Sequence, residues 1–272
     1  MITARLIGQW GNQATIYVTA KILANMTGMA YTPPREFLTK SGDPVTWHQD
    51  IPLFVMEPTF GQAVPYRPRM IYGPNWINPG LINPRRPIHL ASGYYQRYEF
   101  LRPYKDEIRN EWLRLRKPFA TTDPDAVYIH CRRTDYVIER TMRQQRTGSP
   151  AANSIDEYAA CLREFPDARR LVITTDNIQD PFLYEFQKLG LPWTISNRTW
   201  DQDFLLLASA RWVLMSQSTY SWWAAFLGLA ERIVCPLATN SVWYRGRNST
   251  EADNAVNLIV NDEGDRWRWL KL

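Results

Sequence analysis

The stretch Ala126–Tyr136, AVYIHCRRTDY, joins an apolar run to a cluster of charged side chains. The apolar part, Ala126–Cys131, predicts a buried strand. The charged residues follow where this strand ends. Because ligands of open α/β sheets bind outside the carboxyl ends of the strands, the stretch predicts both a sheet and a binding edge.

Strand and helix patterns alternate through the rest of the C-terminal half. Further strands are predicted at Leu171–Thr174, Trp193–Ser196, Trp212–Met215 and Arg232–Cys235, and helices at Tyr158–Phe165, Pro181–Gly190, Asp203–Ala210 and Thr219–Leu229. Ser154 and Glu157 form a capping box ahead of the first of these helices. Repeated strand–helix units at this spacing predict an α/β fold with a parallel, doubly wound sheet.

The N-terminal half is harder to interpret from its pattern. Ile2–Ile7 predicts a strand, and Gln13–Met26 predicts a helix closed by Gly28. Of the 19 prolines, 14 lie within residues 33–124, so we expect loops and edge structure there. A helix is predicted again at Tyr104–Arg116.

Length and composition set the broad class of protein. The 272 residues have room for two domains, and the segment Lys117–Pro124, KPFATTDP, predicts a boundary between residues 1–120 and residues 121–272. The hydrophobic fraction of 45% and the charged fraction of 22% are those of an ordinary globular protein. The net charge is +5 without a basic run, which argues against a nucleic-acid partner and suits a phosphate-bearing ligand.

The cysteines and the hydropathy pattern predict the compartment. Cys131, Cys161 and Cys235 are scattered without metal-ligand spacing, so we expect free thiols rather than a disulfide framework. No apolar stretch reaches the roughly 18 residues of a membrane-spanning helix, and no signal peptide is predicted. A soluble, cytoplasmic protein is the expectation.

Four polar junctions between a strand and a helix are suited to an anion. They are Gly8–Gln13 (GQWGNQ), His130–Tyr136 (HCRRTDY), Thr174–Asn177 (TTDN) and Ser216–Trp223 (SQSTYSWW). A helix N-terminus offers unpaired N–H groups, and adjacent arginines can grip an oxyanion while a carboxylate orients one of them. Each junction alone also fits a structural role: a tight turn, a surface salt-bridge cluster, a turn cap or an N-cap. All four lie at carboxyl ends of predicted strands, which favours one binding site.

Metal chemistry is not predicted. The Asp201–Asp203 segment, DQD, has the form of a metal-binding DxD, but it precedes an apolar helix and is better explained by N-capping and by the helix dipole. The three histidines, His48, His89 and His130, form no zinc constellation. A serine hydrolase is excluded by the lack of a GxSxG elbow.

The four junctions, in this order, resemble the α-1,2-fucosyltransferases of glycosyltransferase family 11. The matching segments are Gly8–Gln13, Gly93–Gln96, His130–Tyr136, Thr175–Asn177 and Ser216–Ala225, and the resemblance covers residues 2–237. The sequence departs from the family pattern where Thr134 replaces Gly, Asn177 replaces Asp and Tyr220 replaces Phe, and where Ala14–Ile16 (ATI) replaces the common Met-Phe-Gln.

The resemblance implies a GT-B arrangement of two Rossmann-like domains facing a cleft. Residues 1–120 would hold the acceptor and residues 121–272 the donor, GDP-fucose. Such an enzyme inverts the anomeric carbon and uses neither a metal nor another cofactor. Its acceptor would be a galactose-containing glycan. A lipid-linked acceptor would bring the protein to the inner face of the membrane by peripheral contact.

The resemblance also implies roles for individual residues. The catalytic residues would be Arg132, which holds the β-phosphate, and Asp135, which fixes the arginine pair. His130 and Asp176 would bind guanine and ribose. The full donor-binding set is Gly11, Asn12, Gln13, His130, Arg133, Asp176, Ser218, Thr219 and Tyr220.

The sequence leaves open the identity of a general base and the exact function. Candidates for a general base are Glu57, Glu99 and His89, and the reaction can also proceed without one. Alternative functions are an inverting transferase with another linkage, such as α-1,6-fucosyl, or with another GDP-sugar, and a non-catalytic protein that binds a glycan or nucleotide.

Overall fold

The computed structural model describes residues 1–4, 6, 10–32, 37–38, 44–45, 69–71, 83, 86–90, 94–134, 137, 152–237 and 257–272. The chain divides into two compact units. One consists of residues 1–117 and 246–258, and the other of residues 118–245 and 259–272.

The first unit carries a small parallel sheet and one long helix. Its strands are β1 (Ile2–Ala4), β4 (Arg69–Ile71) and β5 (Ile88–Leu90), in the order β1-β5-β4. A separate antiparallel pair consists of β2 (Phe37–Leu38) and β3 (Pro44–Val45). Helix α1 (Trp10–Thr27) begins three residues before the predicted start. As predicted, it ends at Gly28. The φ of this residue, +67°, lies in the left-handed region that favours glycine.

The predicted helix at Tyr104–Arg116 is wrong in its bounds and its type. The helical segment starts at Tyr98 and changes type along its length: α2 (Tyr98–Leu101), a 3₁₀ turn (Arg102–Tyr104), α3 (Lys105–Glu107) and a π-helical turn (Ile108–Trp112). Pro103 lies in the 3₁₀ turn and has no N–H to continue an α-helical ladder.

The second unit is built on a six-stranded sheet. Its strands are β6 (Ala126–Cys131), β7 (Arg170–Thr175), β8 (Trp193–Ile195), β9 (Trp212–Leu214), β10 (Arg232–Leu237) and β11 (Trp267–Lys271). The order across the sheet is β8-β7-β6-β9-β10-β11, and every neighbouring pair is parallel. The predicted doubly wound α/β sheet is confirmed, with its topological switch point between β6 and β9.

Four described helices of the second unit are capped by short polar side chains. They are α4 (Ile155–Leu162), a 3₁₀ helix (Pro181–Leu189), α5 (Trp200–Ser209) and α6 (Thr219–Leu227). The predicted capping box is present: the Glu157 N–H donates to the Ser154 hydroxyl over 3.2 Å, and the Ser154 N–H donates to the Glu157 carboxylate over 2.6 Å. Helix α5 begins three residues earlier than predicted, because Thr199 and Gln202 form a second capping box.

Strand β6 lies in the middle of the core. All six of its residues are buried, and Tyr158 of α4 and Phe186 of the 3₁₀ helix pack with the core residues beside it, their ring centroids 5.2 Å apart. The three cysteines are buried free thiols, as predicted. A buried central strand gives the residues at its carboxyl end a rigid support. Within the described ranges, no helix is long and apolar enough to cross a membrane.

Candidate functional site

A polar edge lies where β6, β7 and β9 end. His130, the penultimate residue of β6, places Nδ1 2.7 Å from the hydroxyl of Ser216, which follows β9. This hydrogen bond spans the switch point of the sheet. Burial lowers the pKa of His130 to about 3, so the ring is neutral at physiological pH.

The start of helix α6 lies beside His130. The Tyr220 ring is 5.0 Å from the His130 ring and 5.5 Å from the Phe204 ring, and its hydroxyl donates to the carbonyl of Trp200 over 2.5 Å. Ser218 caps the helix by accepting from the Tyr220 N–H over 3.3 Å. The N-terminal end of a nine-residue helix therefore reaches the polar edge, and its dipole favours an anion there.

Asp176, just past β7, holds the turn that follows β6. Its Oδ1 accepts from the Arg133 N–H over 2.7 Å, and its Oδ2 pairs with Arg132 Nη1 at 3.1 Å. The Thr134 hydroxyl also donates to Oδ2. Burial alone would raise the pKa of Asp176, but the hydrogen bonds from Thr134 and Arg133 and the charge of Arg132 outweigh it and lower the pKa. The carboxylate is therefore ionised, and both of its oxygens accept hydrogen bonds or an ion pair from this turn.

Arg133 is held by a second carboxylate. Its Nε donates to Asp180 Oδ2 over 2.9 Å, and its guanidinium carbon lies 4.0 Å from the centre of the Phe182 ring. Asp180 also caps the 3₁₀ helix, because its Oδ1 accepts from the Phe182 N–H over 2.9 Å. Two adjacent arginines thus meet two carboxylates of one loop, Asp176–Asp180.

The structure brings together seven of the predicted site residues on the second unit: His130, Arg132, Arg133, Asp176, Ser218, Thr219 and Tyr220. Gly11, Asn12 and Gln13 lie in the first unit, in the first turn of α1, where Gln96 Nε2 donates to Asn12 Oδ1 over 2.7 Å. Asp135 lies outside the described residues. Its role in fixing the arginine pair stays a prediction, and within the described residues Asp176 pairs with Arg132 and Asp180 with Arg133.

The N-capping interpretation of Asp201 and Asp203 is wrong, because Thr199 is the N-cap. Asp201 accepts from the Thr199 hydroxyl over 2.5 Å. Asp203 is buried and accepts from the Ser196 hydroxyl over 2.5 Å, and burial raises its pKa to about 6. Both residues lie in the first turn of α5, and the predicted interaction with the helix dipole stays a prediction.

Sequence reasoning missed Asp180 and Phe182 at the site. The signal for Asp180 was its place before Pro181, since an Asp ahead of a helix-starting proline is a common N-cap. Nothing local indicated that its second oxygen would meet Arg133. Among the described residues, no group of three His, Cys, Asp or Glu side chains is arranged to hold a metal ion.

The chain is similar to one known protein family and, at low identity, to a set of solved structures. A sequence model of glycosyl transferase family 11 matches residues 89–253, more than half of the chain. No curated protein matches the chain. Crystal structures of POFUT1 are similar at low identity: the complex with GDP has 12% identity and a TM-score of 0.46, over 85% of this chain and 96% of that one. The complex with GDP-fucose has 13% identity and a TM-score of 0.46, over the same shares.

Proposed function

The chain belongs to glycosyl transferase family 11 and is a glycosyltransferase, and from that premise we propose that it is an inverting galactoside α-1,2-fucosyltransferase. It moves L-fucose from GDP-β-L-fucose to a galactose hydroxyl of a glycan. One observation carries the proposal: the family's polar residues meet at the carboxyl edge of the second unit, with Arg132 and the start of α6 on either side of the switch point.

The donor diphosphate is assigned to this edge on electrostatic grounds. Arg132 brings a guanidinium, and the N-terminal end of α6 brings backbone N–H groups and the positive end of its dipole. Both favour the charge that grows on the β-phosphate as the bond to fucose breaks. Donors aimed at developing charge are commonly the largest single contribution to catalysis.

The reaction follows from that placement. The acceptor oxygen attacks C1 of fucose on the face opposite GDP, and the bond from C1 to the phosphate oxygen breaks with its electron pair leaving on GDP. The β-linked donor becomes an α-linked product, and the hydroxyl proton passes to a base or to water. Two of the three candidate bases lie among the described residues. His89 Nδ1 is 2.8 Å from the Thr3 hydroxyl, and Glu99 pairs with Arg97 at 2.9 Å. Glu57 lies outside the described residues.

Guanine recognition is part of the proposal. His130 and Asp176 flank the arginine pair, and a site that hydrogen-bonds a base edge rejects a base that leaves its buried polar groups unpaired. Since Asp176 already accepts bonds from the turn after β6, contact with guanine requires one of these bonds to yield. GDP should bind at least about tenfold more tightly than ADP or UDP, a gap of about 1.4 kcal/mol. Calorimetric titration measures this, and equal affinities would remove guanine recognition.

The decisive experiment is a transfer assay with GDP-fucose and a panel of galactosides. We expect release of GDP only with an acceptor and an α-1,2 linkage in the product, determined by NMR. The matched control is the 2-deoxygalactoside, which lacks the accepting hydroxyl and should give no product. An α-1,6 product, or turnover of another GDP-sugar in place of GDP-fucose, would establish the alternative transferase. A lipid-linked galactoside in the same panel tests whether the acceptor is carried on a lipid.

A further inference from the structure

We propose that Arg133 is a positioning residue and not a ligand of the donor: with Asp180 and Phe182 it fastens the turn after β6 to the loop after β7 and thereby sets the place of Arg132. The inference rests on the proposed function, because the position of Arg132 matters only if a donor phosphate binds there. It departs from the expectation that both arginines bind the donor.

The first argument is that the guanidinium of Arg133 is already committed within the protein. Its Nε donates to Asp180 over 2.9 Å, and one of its faces lies on the Phe182 ring at 4.0 Å. The side chains of Arg133 and Asp180 are only 10% and 14% exposed. An arginine that binds a diphosphate must present its N–H groups to the ligand, whereas this one is largely enclosed by a carboxylate and an aromatic ring.

The second argument is that Asp180 is itself fixed. Its Oδ1 accepts from the Phe182 N–H over 2.9 Å, and its own N–H donates to the carbonyl of Asn177 over 3.2 Å. Pro181 follows as the first residue of the 3₁₀ helix and restricts the backbone further. Asp180 is therefore a rigid anchor, and Arg133 takes its position from it.

The third argument connects this anchor to Arg132. The N–H of Arg133 donates to Asp176 Oδ1, and Asp176 Oδ2 pairs with Arg132 at 3.1 Å. The backbone and side chain of Arg133 therefore contact the two ends of the Asp176–Asp180 loop. If the contact with Asp180 is lost, the turn can shift against the loop, and the Asp176–Arg132 pair shifts with it.

The two roles predict opposite effects of removing Asp180. If Arg133 were a phosphate ligand, Asp180→Asn would remove the carboxylate that competes with the donor for the Arg133 guanidinium. GDP would then bind equally well or more tightly. If Arg133 is a positioning residue, Asp180→Asn and Arg133→Gln should weaken GDP binding alike. Their double variant should then be no worse than the worse single one, since residues in one network are not additive.

The experiment measures the GDP dissociation constant by calorimetry, together with kcat and the acceptor KM, for wild type, both single variants and the double variant. We expect each single variant to weaken GDP binding about tenfold, the double variant to stay within about twofold of them, and the acceptor KM to stay unchanged. A smaller folded fraction would lower kcat and leave the dissociation constant as it was. Phe182→Leu removes the ring on which Arg133 stacks but keeps an apolar side chain against Tyr158 and Phe186, and it replaces any single variant whose thermal melt shows that it does not fold.

The matched control is the pair of Arg170 and Asp123, 3.4 Å apart at the other end of β6 and β7. Arg170→Gln should leave GDP binding within about twofold of wild type, because surface pairs contribute little. Unchanged or tighter binding in Asp180→Asn, with weaker binding in Arg133→Gln, would make Arg133 a donor ligand and overturn the inference. If the wild type binds GDP and the effects of Asp180→Asn and Arg133→Gln on the dissociation constant add up in the double variant, the inference is also overturned. A wild type that does not bind GDP overturns the proposed function as well.

Discussion

In the proposed function Arg132, which pairs with Asp176 at 3.1 Å, meets the negative charge of the departing diphosphate. We predict that Arg132→Lys lowers turnover by about 10²–10³, the usual cost of losing one donor to developing charge. Lysine keeps the charge but loses the planar fork that binds two oxygens at once. Steady-state kinetics with GDP-fucose measures the effect, with Arg170→Lys as a control that should keep its activity. A folded Lys variant with wild-type turnover would contradict the phosphate assignment.

Asp203 makes stability depend on pH in an unusual direction. Burial raises its pKa from 3.8 to about 6, so the folded protein prefers the protonated carboxyl. Its contribution is fully present below about pH 4 and is lost as the pH rises to about 6. Asp203→Asn, which can still accept from Ser196, should therefore have a higher Tm than wild type at pH 8 and lose most of that advantage near pH 4.5.

The control for that experiment is Asp201→Asn, in the same first turn of α5 but bonded to the exposed Thr199. We expect the difference in Tm between this variant and wild type to stay nearly constant between pH 5 and pH 8. A difference for Asp203→Asn that is equally constant would show that the pKa of Asp203 is near its ordinary value.

At the scale of helices and strands, Gly228, the C-cap of α6, lies close to the backbone of α5. A Cβ added there would lie 2.4 Å from the carbonyl oxygen of Ala208 and 2.6 Å from that of Ala224. Because both are backbone atoms, Gly228→Ala must shift one helix, and we expect a loss of about 1–3 kcal/mol in the free energy of unfolding. Urea unfolding measures this loss. The neighbouring exposed Leu229 provides the control, since Leu229→Ala should change little. Equal stability of the two variants would show that the contact relaxes freely.

The sequence predicted elements well where the signal is local. The bounds of β6 agree with the apolar run Ala126–Cys131, and the capping box at Ser154 marks the start of α4 correctly. Strand β11 was missed, because its alternating aromatic and charged residues lack the apolar run of a buried strand. The pairing of Arg133 with Asp180 could not be predicted either. The two residues are 47 positions apart, and only the register of β6 on β7 brings them together.

At the scale of the whole molecule, the expected lack of a metal requirement is testable in one assay. Asp201 and Asp203 are bonded to Thr199 and Ser196, and in the proposed function Arg132 supplies the charge that a metal would otherwise bring to the diphosphate. We predict that transfer continues in excess EDTA and is not increased by manganese or magnesium. Loss of transfer on chelation, followed by its return on adding manganese, would contradict this mechanism.

The order of strands in the second unit has a consequence for the chain as it is synthesised. Strand β10 pairs with β9 on one side and with β11, Trp267–Lys271, on the other. At roughly 5–20 residues per second, a ribosome needs a few seconds to make the chain between Leu237 and Lys271. During that interval the outer edge of β10 lacks its partner, and an unpaired edge invites the strands of other nascent chains. Rapid translation through β11, or a chaperone that covers the edge of β10, would shorten or prevent this exposure and so favour the yield of folded protein.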